Sequence, residues 1–200
     1  MAAATATTPI RALRLAGDET LVLASASPRR RELLMRAGVP LQVRTADISE
    51  DAQPGESPEA LVLRLAGGKA RAVAADLPGR LVLGADTVIA FAGQIYGKPV
   101  DLPAARAMLR AFAGRQHDVL TGVCLLRDSV EYSWLARTTV RFRLLTDAAI
   151  DDYVALVNPL DKAGAYGIQE HGEMIVAGMD GLLSNVIGLP VEEVLAIVGR

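Results

Sequence analysis

Apolar residues along this chain fall into short unbroken runs, separated by longer stretches in which they recur at helical spacing. Leu21-Val22-Leu23-Ala24 is the first run and predicts a buried strand. Ser27 then suits an N-cap, with Pro28 as the first helical residue. Ser57-Pro58-Glu59 opens a second helix by the same logic, running to about Ala75, with Leu61, Leu65, Lys69 and Ala72 on one stripe. Leu81 to Ala90 is apolar throughout except for one acid, Asp86, and predicts a central strand covered on both faces. Ala92-Gly93 turns this strand into a short partner around Ile95-Tyr96. A third helix is expected from about Pro103 to Ala113, with Asp101 or Leu102 near its start and Gly114 at its stop. β segments are expected near 119–126 and 138–145. Thr146-Asp147 caps a fourth helix containing Ile150, Tyr153, Val154 and Val157, closed by Pro159. A strand near 174–177, Val186-Ile187, and a last helix after Pro190 complete the reading. The interleaving predicts an α/β fold, a mixed twisted sheet with flanking helices. There is no internal repeat and no low-complexity linker.

Composition narrows the function classes. Apolar residues at 51% and charged residues at 22% are those of a globular protein, not a disordered one. The net charge of −2 gives no general attraction to nucleic acid or an anionic membrane. No apolar stretch reaches the roughly 20 residues that span a bilayer. A single cysteine, Cys124 in an apolar run, excludes an intrachain disulfide and points to a reducing, cytoplasmic setting. Residues 1–20 are Ala/Thr-rich without a continuous apolar core, which suits a frayed N-terminal extension better than a secretory signal.

Charge in unusual places supplies the candidate chemistry. Arg29, Arg30 and Arg31 crowd the first turn of the first helix, where the dipole disfavours each cation by roughly 0.3–1 kcal/mol. With the hydroxyls of Ser25 and Ser27 and the open N–H groups of a helix start, they describe a phosphate site, although the arginines could also fan into water. Asp86 inside an apolar strand requires a lysine or arginine partner, a metal ion or a retained proton; a buried salt bridge is the plain alternative. Lys69 points toward the body of the protein or snorkels at its rim. Lys98, between Gly97 and Pro99, suits phosphate oxygens or a carboxylate, yet a turn lysine is usually solvated. Glu50, on an acidic loop, could complete a cation site with Asp86. Gln169 can match the edge of a planar base, Tyr166 can stack or pack, and His117 is at least as well suited to anchoring as to catalysis. P-loop, HExxH and GxSxG signatures are missing from the sequence.

Taken in order, Leu23-Ala24-Ser25-Ala26-Ser27-Pro28-Arg29-Arg30, Gly84-Ala85-Asp86-Thr87, Gly97-Lys98-Pro99, Thr121-Gly122-Val123, Asp161 to Gln169, and Asn185-Val186-Ile187-Gly188-Leu189-Pro190 resemble the Maf family of nucleoside triphosphate pyrophosphatases. The resemblance covers residues 21–200 as a single domain. It implies two lobes around a central cleft, similar to the inosine triphosphate pyrophosphatases, and hydrolysis between the α- and β-phosphates. The implied cofactor is a divalent metal, magnesium first and manganese second. In this resemblance Asp86 is the general base and a metal ligand with Glu50. Lys98, Lys69, Arg30 and Ser25 face the phosphates, Lys98 with a catalytic role, and Arg29, Thr87 and Gln169 bear on nucleobase choice. Ala165-Tyr166-Gly167-Ile168-Gln169 is similar to the loop of the branch acting on dTTP and UTP, which extends to modified pyrimidine nucleotides, rather than that of the 7-methyl-GTP branch. Glu170, where glycine commonly follows the glutamine, and Leu182-Leu183 depart from the pattern. Family analogy also brings in a homodimer and a nucleotide-pool cleaning role. Competing readings are a 7-methyl-GTP-type Maf pyrophosphatase, a non-catalytic nucleotide-binding regulator of division and a phosphatase releasing orthophosphate.

Overall fold

The computed structural model describes residues 10–199. It is a mixed α/β fold whose seven-stranded sheet has the order β2-β1-β3-β5-β6-β7, with β4 pairing β3. The strands are β1 (Leu21–Ala24), β2 (Leu41–Arg44), β3 (Val82–Phe91), β4 (Gln94–Tyr96), β5 (Gln116–Arg127), β6 (Val130–Phe142) and β7 (Val176–Asp180). The helices are α1 (Pro28–Arg36), α2 (Pro58–Ala74), α3 (Leu102–Phe112), α4 (Asp147–Leu156), α5 (Gly172–Ile175), α6 (Leu183–Ile187) and α7 (Val191–Val198). β1 pairs in parallel with both β2 and β3, whereas β4 runs antiparallel to β3 and β7 antiparallel to β6. The expected mixed sheet with flanking helices is the one observed.

Contacts divide the chain into two compact units. The first contains the chain up to Asp86, Thr121–Ala136 and everything from Gly188 onward. Here β1 is buried on both faces: Leu21 and Leu23 pack with Leu34, Leu83 and Val194, while Val22 and Ala24 pack with Ala66, Ala70 and Val82. That double cover is why its sequence is continuously apolar instead of alternating. Of the expected N-terminal extension, residues 1–9 lie outside the described residues; beyond them Leu13 is buried in the same cluster and the Leu15 N–H donates to Val198 O. Cys124 is a core residue, and burial pushes its thiol up to about 11, which keeps it protonated and unreactive.

The second unit comprises Thr87–Leu120 and Arg137–Ile187. Its core sets Phe112, Phe142, Tyr153 and Tyr166 among Ile89, Leu109, Ile150 and Ile175. The caps read from the sequence are present in both units. The Ser27, Ser57, Asp101 and Thr146 side chains accept from the N–H groups of Arg30, Ala60, Ala104 and Ala149. Three expectations need correction. The strand expected at 138–145 starts at Val130 and stops at Phe142, because Asp128 at φ 51° makes a tight turn out of β5. The strand expected at 174–177 is displaced to Val176–Asp180, since Gly172–Ile175 closes a helical turn first. Val186 and Ile187 are helical, in α6, not extended.

Candidate active site

Strand alternation places Val82, Gly84 and Asp86 on one face of β3, the face that α2 covers. Gly84 is what lets the helix come so near: a Cβ there would lie 2.1 Å from Ala66 O and 2.8 Å from Ala70 N. On α2, Lys69 follows Leu65 by four residues and Ala66 by three, so it shares their buried stripe. Its ammonium therefore meets the lone strand acid, with Nζ donating to Asp86 Oδ1 at 2.7 Å. The same nitrogen lies 2.7 Å from Glu50 Oε1. The two bonded carboxylate oxygens are thus within twice that distance of each other. Lys69 and Asp86 are buried, while Glu50 remains exposed on its loop. Asp86 is thus both the partner of a buried lysine, as the plainer reading held, and half of an acid pair.

Arg30 is the second buried cation of this unit. Ser27 caps α1 and no acid occupies its first turn, so nothing local opposes the positive end of the dipole. The guanidinium Nε donates to Gly188 O at 2.7 Å and Nη1 to Ser25 Oγ at 3.2 Å. Ser25 Oγ also accepts from the Ser27 N–H at 3.2 Å, which fixes the turn between β1 and α1. Burial lowers the Arg30 pKa from its usual value; the Asp86 and Glu50 carboxylates pull it back up, and Arg29 adds to the depression. A guanidinium nevertheless keeps its charge. These couplings bring Arg29, Arg30, Glu50 and Asp86 within electrostatic reach of one another, and Arg31 is exposed.

The structure thus brings Ser25, Arg29, Arg30, Glu50, Lys69 and Asp86 together within the first unit. Thr87, Lys98 and Gln169 belong to the second. Thr87 is half-buried in β3. Lys98 is exposed, on a loop tied down where Gly97 O accepts from the Gly164 N–H at 2.9 Å. Gln169 is exposed in a turn. Tyr166 packs instead of stacking in the open: it is buried, and its hydroxyl lies 2.8 Å from His117 Nε2. His117 is an anchor within β5, where burial drives its pKa down to about 4 and keeps the imidazole neutral. Sequence reasoning missed the Gly188 carbonyl as the group that orients Arg30. Its only trace was membership of the Asn185–Pro190 motif, since a backbone acceptor leaves no side-chain signature.

Guanidinium and ammonium groups beside a helix start, within electrostatic reach of two carboxylates on an α/β scaffold, are groups whose chemistry suits phosphate. The chain belongs to the Maf family, whose description, Maf-like protein, matches residues 20–200. A dTTP/UTP pyrophosphatase of Anaeromyxobacter dehalogenans is 51% identical over 184 residues, covering 90% of this chain and 93% of that protein. One from Moorella thermoacetica is 53% identical over 185 residues, covering 90% and 95%. Among solved structures, the Ham1 protein of Staphylococcus aureus matches with a TM-score of 0.46 at 15% identity, over 78% of this chain and 90% of that one. Among the described residues no helix is long and apolar enough to cross a membrane.

Proposed function

We propose that this chain is a nucleoside triphosphate pyrophosphatase that hydrolyses dTTP and UTP to the monophosphate and pyrophosphate. The observation that carries the reading is the buried Asp86–Lys69 pair with Glu50 on the same ammonium, in a chain about half identical to proteins described as dTTP/UTP pyrophosphatase. Asp86, held by Lys69, accepts a proton from the water that attacks the α-phosphorus, and the pyrophosphate departs. Arg30, oriented by Gly188 O and Ser25 Oγ, offers its guanidinium to the phosphate chain. Lys98 adds a second, solvent-facing cation for the charge that builds on the leaving group. Arg29, Thr87 and Gln169 select the base. Once covered by the base, an amide that matches uracil is left unpaired by a base without the matching groups, which is a strong basis for rejection.

The donor set suits a hard cation, because magnesium is commonly held by one or two carboxylates together with substrate phosphate oxygens. Glu50 and Asp86 would hold it, and when bound it supplies Lewis-acid polarisation of the phosphate oxygens. In this reading Lys69 keeps the two acids neutralised and close together until nucleotide enters. A cytoplasmic location and a homodimer form part of the same proposal.

The test is product analysis with UTP, dTTP, 7-methyl-GTP and ATP, each with and without magnesium. Pyrophosphate from UTP and dTTP, ahead of the other two, is the expected result. Orthophosphate as the first product, or no product from any of the four, would overturn the reading.

A further inference from the structure

Gln169 is the third residue of a four-residue turn, Gly167 to Glu170, closed by the Glu170 N–H donating to Gly167 O at 3.0 Å. Both ends of this turn are clamped by side chains from elsewhere in the second unit. At its front, Tyr153 of α4 is fully buried, and its phenolic oxygen accepts the Gly167 N–H at 3.1 Å. The same hydroxyl points back at Gly167 O, at 3.5 Å. At its rear, the Lys162 ammonium reaches Glu170 Oε2 at 2.9 Å. Lys162 is only 4% exposed, and its other two partners are Asp161 Oδ1 and Asn158 O, both at 2.8 Å. An ammonium has three N–H donors, and here each has an acceptor.

The rear clamp also lies against the front of the turn. A Cβ on residue 167 would stand 2.8 Å from Lys162 Cε, so glycine lets the lysine stem lie across the turn. Burial raises the Tyr153 phenol to about 12, so it stays a neutral donor and acceptor at working pH. Beneath the turn Tyr166 is pinned by His117 and packed edge-on against Phe142. Such an arrangement exceeds what an exposed surface turn needs. A buried cation bonded to two carboxylates is costly to assemble and fixes one geometry when complete. The residue this turn carries between its two fixed ends is Gln169.

We propose that Tyr153, Lys162 and Glu170 are positioning residues for base selection, bracing the turn so that the Gln169 amide is presented in one orientation. This rests on the reading of Gln169 as a base-selecting residue. Hydrogen-bond recognition is strict only when the recognising group cannot shift to suit a second base. Glu170, at the position where the family resemblance leads one to expect glycine, therefore has a defined task in this chain.

The experiment compares kcat/KM for UTP with that for CTP, which share phosphates and sugar but present opposite donor and acceptor patterns on the base edge. Tyr153→Phe and Glu170→Ala are each expected to lower the UTP-to-CTP ratio by roughly ten- to a hundredfold, the scale of a misplacement of about 1 Å. The kcat for UTP should stay near the wild-type value in both. Glu170→Gln, which still accepts a hydrogen bond from the ammonium, should restore most of the ratio that Glu170→Ala loses. Gln169→Ala sets the reference. If it collapses the ratio and the two brace variants do not, the brace is refuted and the reading of Gln169 stands. If Gln169→Ala leaves the ratio intact, that reading falls and the brace falls with it. Equal losses for both nucleotides, with the ratio unchanged, would mark the brace as merely structural and refute the proposal.

Discussion

Replacing Gly84 with alanine tests the link between packing and chemistry most directly. The added methyl would stand 2.1 Å from Ala66 O, 2.8 Å from Ala70 N and 3.0 Å from Ala70 Cβ. None of these atoms is the end of a flexible side chain. Non-bonded heavy atoms settle at roughly 3.5 Å or more, so α2 must withdraw from β3 by over about 1 Å. Overpacking of this kind costs about 1–3 kcal/mol, and a backbone obstacle puts Gly84→Ala at the upper end. In a chain of 200 residues, about 3 kcal/mol corresponds to a fall in Tm of roughly 6–12 °C. The withdrawal also carries Lys69, the neighbour of Ala70, away from Asp86, and a shift of about 1 Å near reacting groups can cost roughly a hundredfold in rate. Gly67→Ala is the matched control. Its new methyl would meet the Arg71 guanidinium first, at 2.8 Å, and an exposed side-chain tip can swing clear. Alanine also favours a helix interior over glycine by about 1 kcal/mol. Urea unfolding followed by circular dichroism, with pyrophosphate release at a temperature where each variant is folded, measures both effects. A Gly84→Ala protein within about 1 kcal/mol of wild type, or a Gly67→Ala protein damaged as badly, would refute the reasoning.

Three further outcomes are expected. Asp86→Asn should lose pyrophosphate release while still binding UTP, as measured by equilibrium dialysis; turnover by a pure preparation would remove Asp86 from the proton-accepting role. Lys98 is exposed, so Lys98→Ala should unfold within about 0.5 kcal/mol of wild type yet turn over more slowly, separating a chemical role from a structural one. His117 has its pKa lowered to about 4 by burial, against an unfolded value of roughly 6.5, so between these values the unfolded chain holds a proton that the folded chain does not. Stability is then fully present above about pH 6.5 and declines as the pH falls toward 4, by an amount on the order of 3 kcal/mol. Urea midpoints across that range should fall less steeply for His117→Gln, and an unchanged slope would assign the acid sensitivity to other groups.

Local signals in the sequence located most of the elements, because capping is a local event. Ser27, Ser57, Asp101 and Thr146 announce helix starts within three residues of the N–H groups they satisfy. β6 escaped because Glu131, Tyr132 and Ser133 are exposed, so its first half has no apolar run to betray it. Its pairing is supported instead by distant partners, among them Arg71 to Glu131 and Trp134 Nε1 to Glu193. Leu144, read as part of that strand, is 91% exposed. Much of the candidate site was legible for the opposite reason: Arg30, Lys69 and Asp86 are charges in places that charge avoids, which marks them without any knowledge of their partners. The clamp on Gly167 and Glu170 was not, since neither a tyrosine in a helix nor a lysine after an aspartate is unusual until the fold joins them.

The bond from Arg30 to Gly188 joins residues 158 positions apart. During synthesis the first helix leaves the ribosome long before the carbonyl that aims its guanidinium exists. A chain that stops short, or is clipped by a protease ahead of Gly188, carries every charged residue of the first unit's cluster and still lacks the strut that holds Arg30. Competence is thereby deferred until residue 188 has been made, so copies unfinished or trimmed ahead of it should be idle with respect to nucleotides.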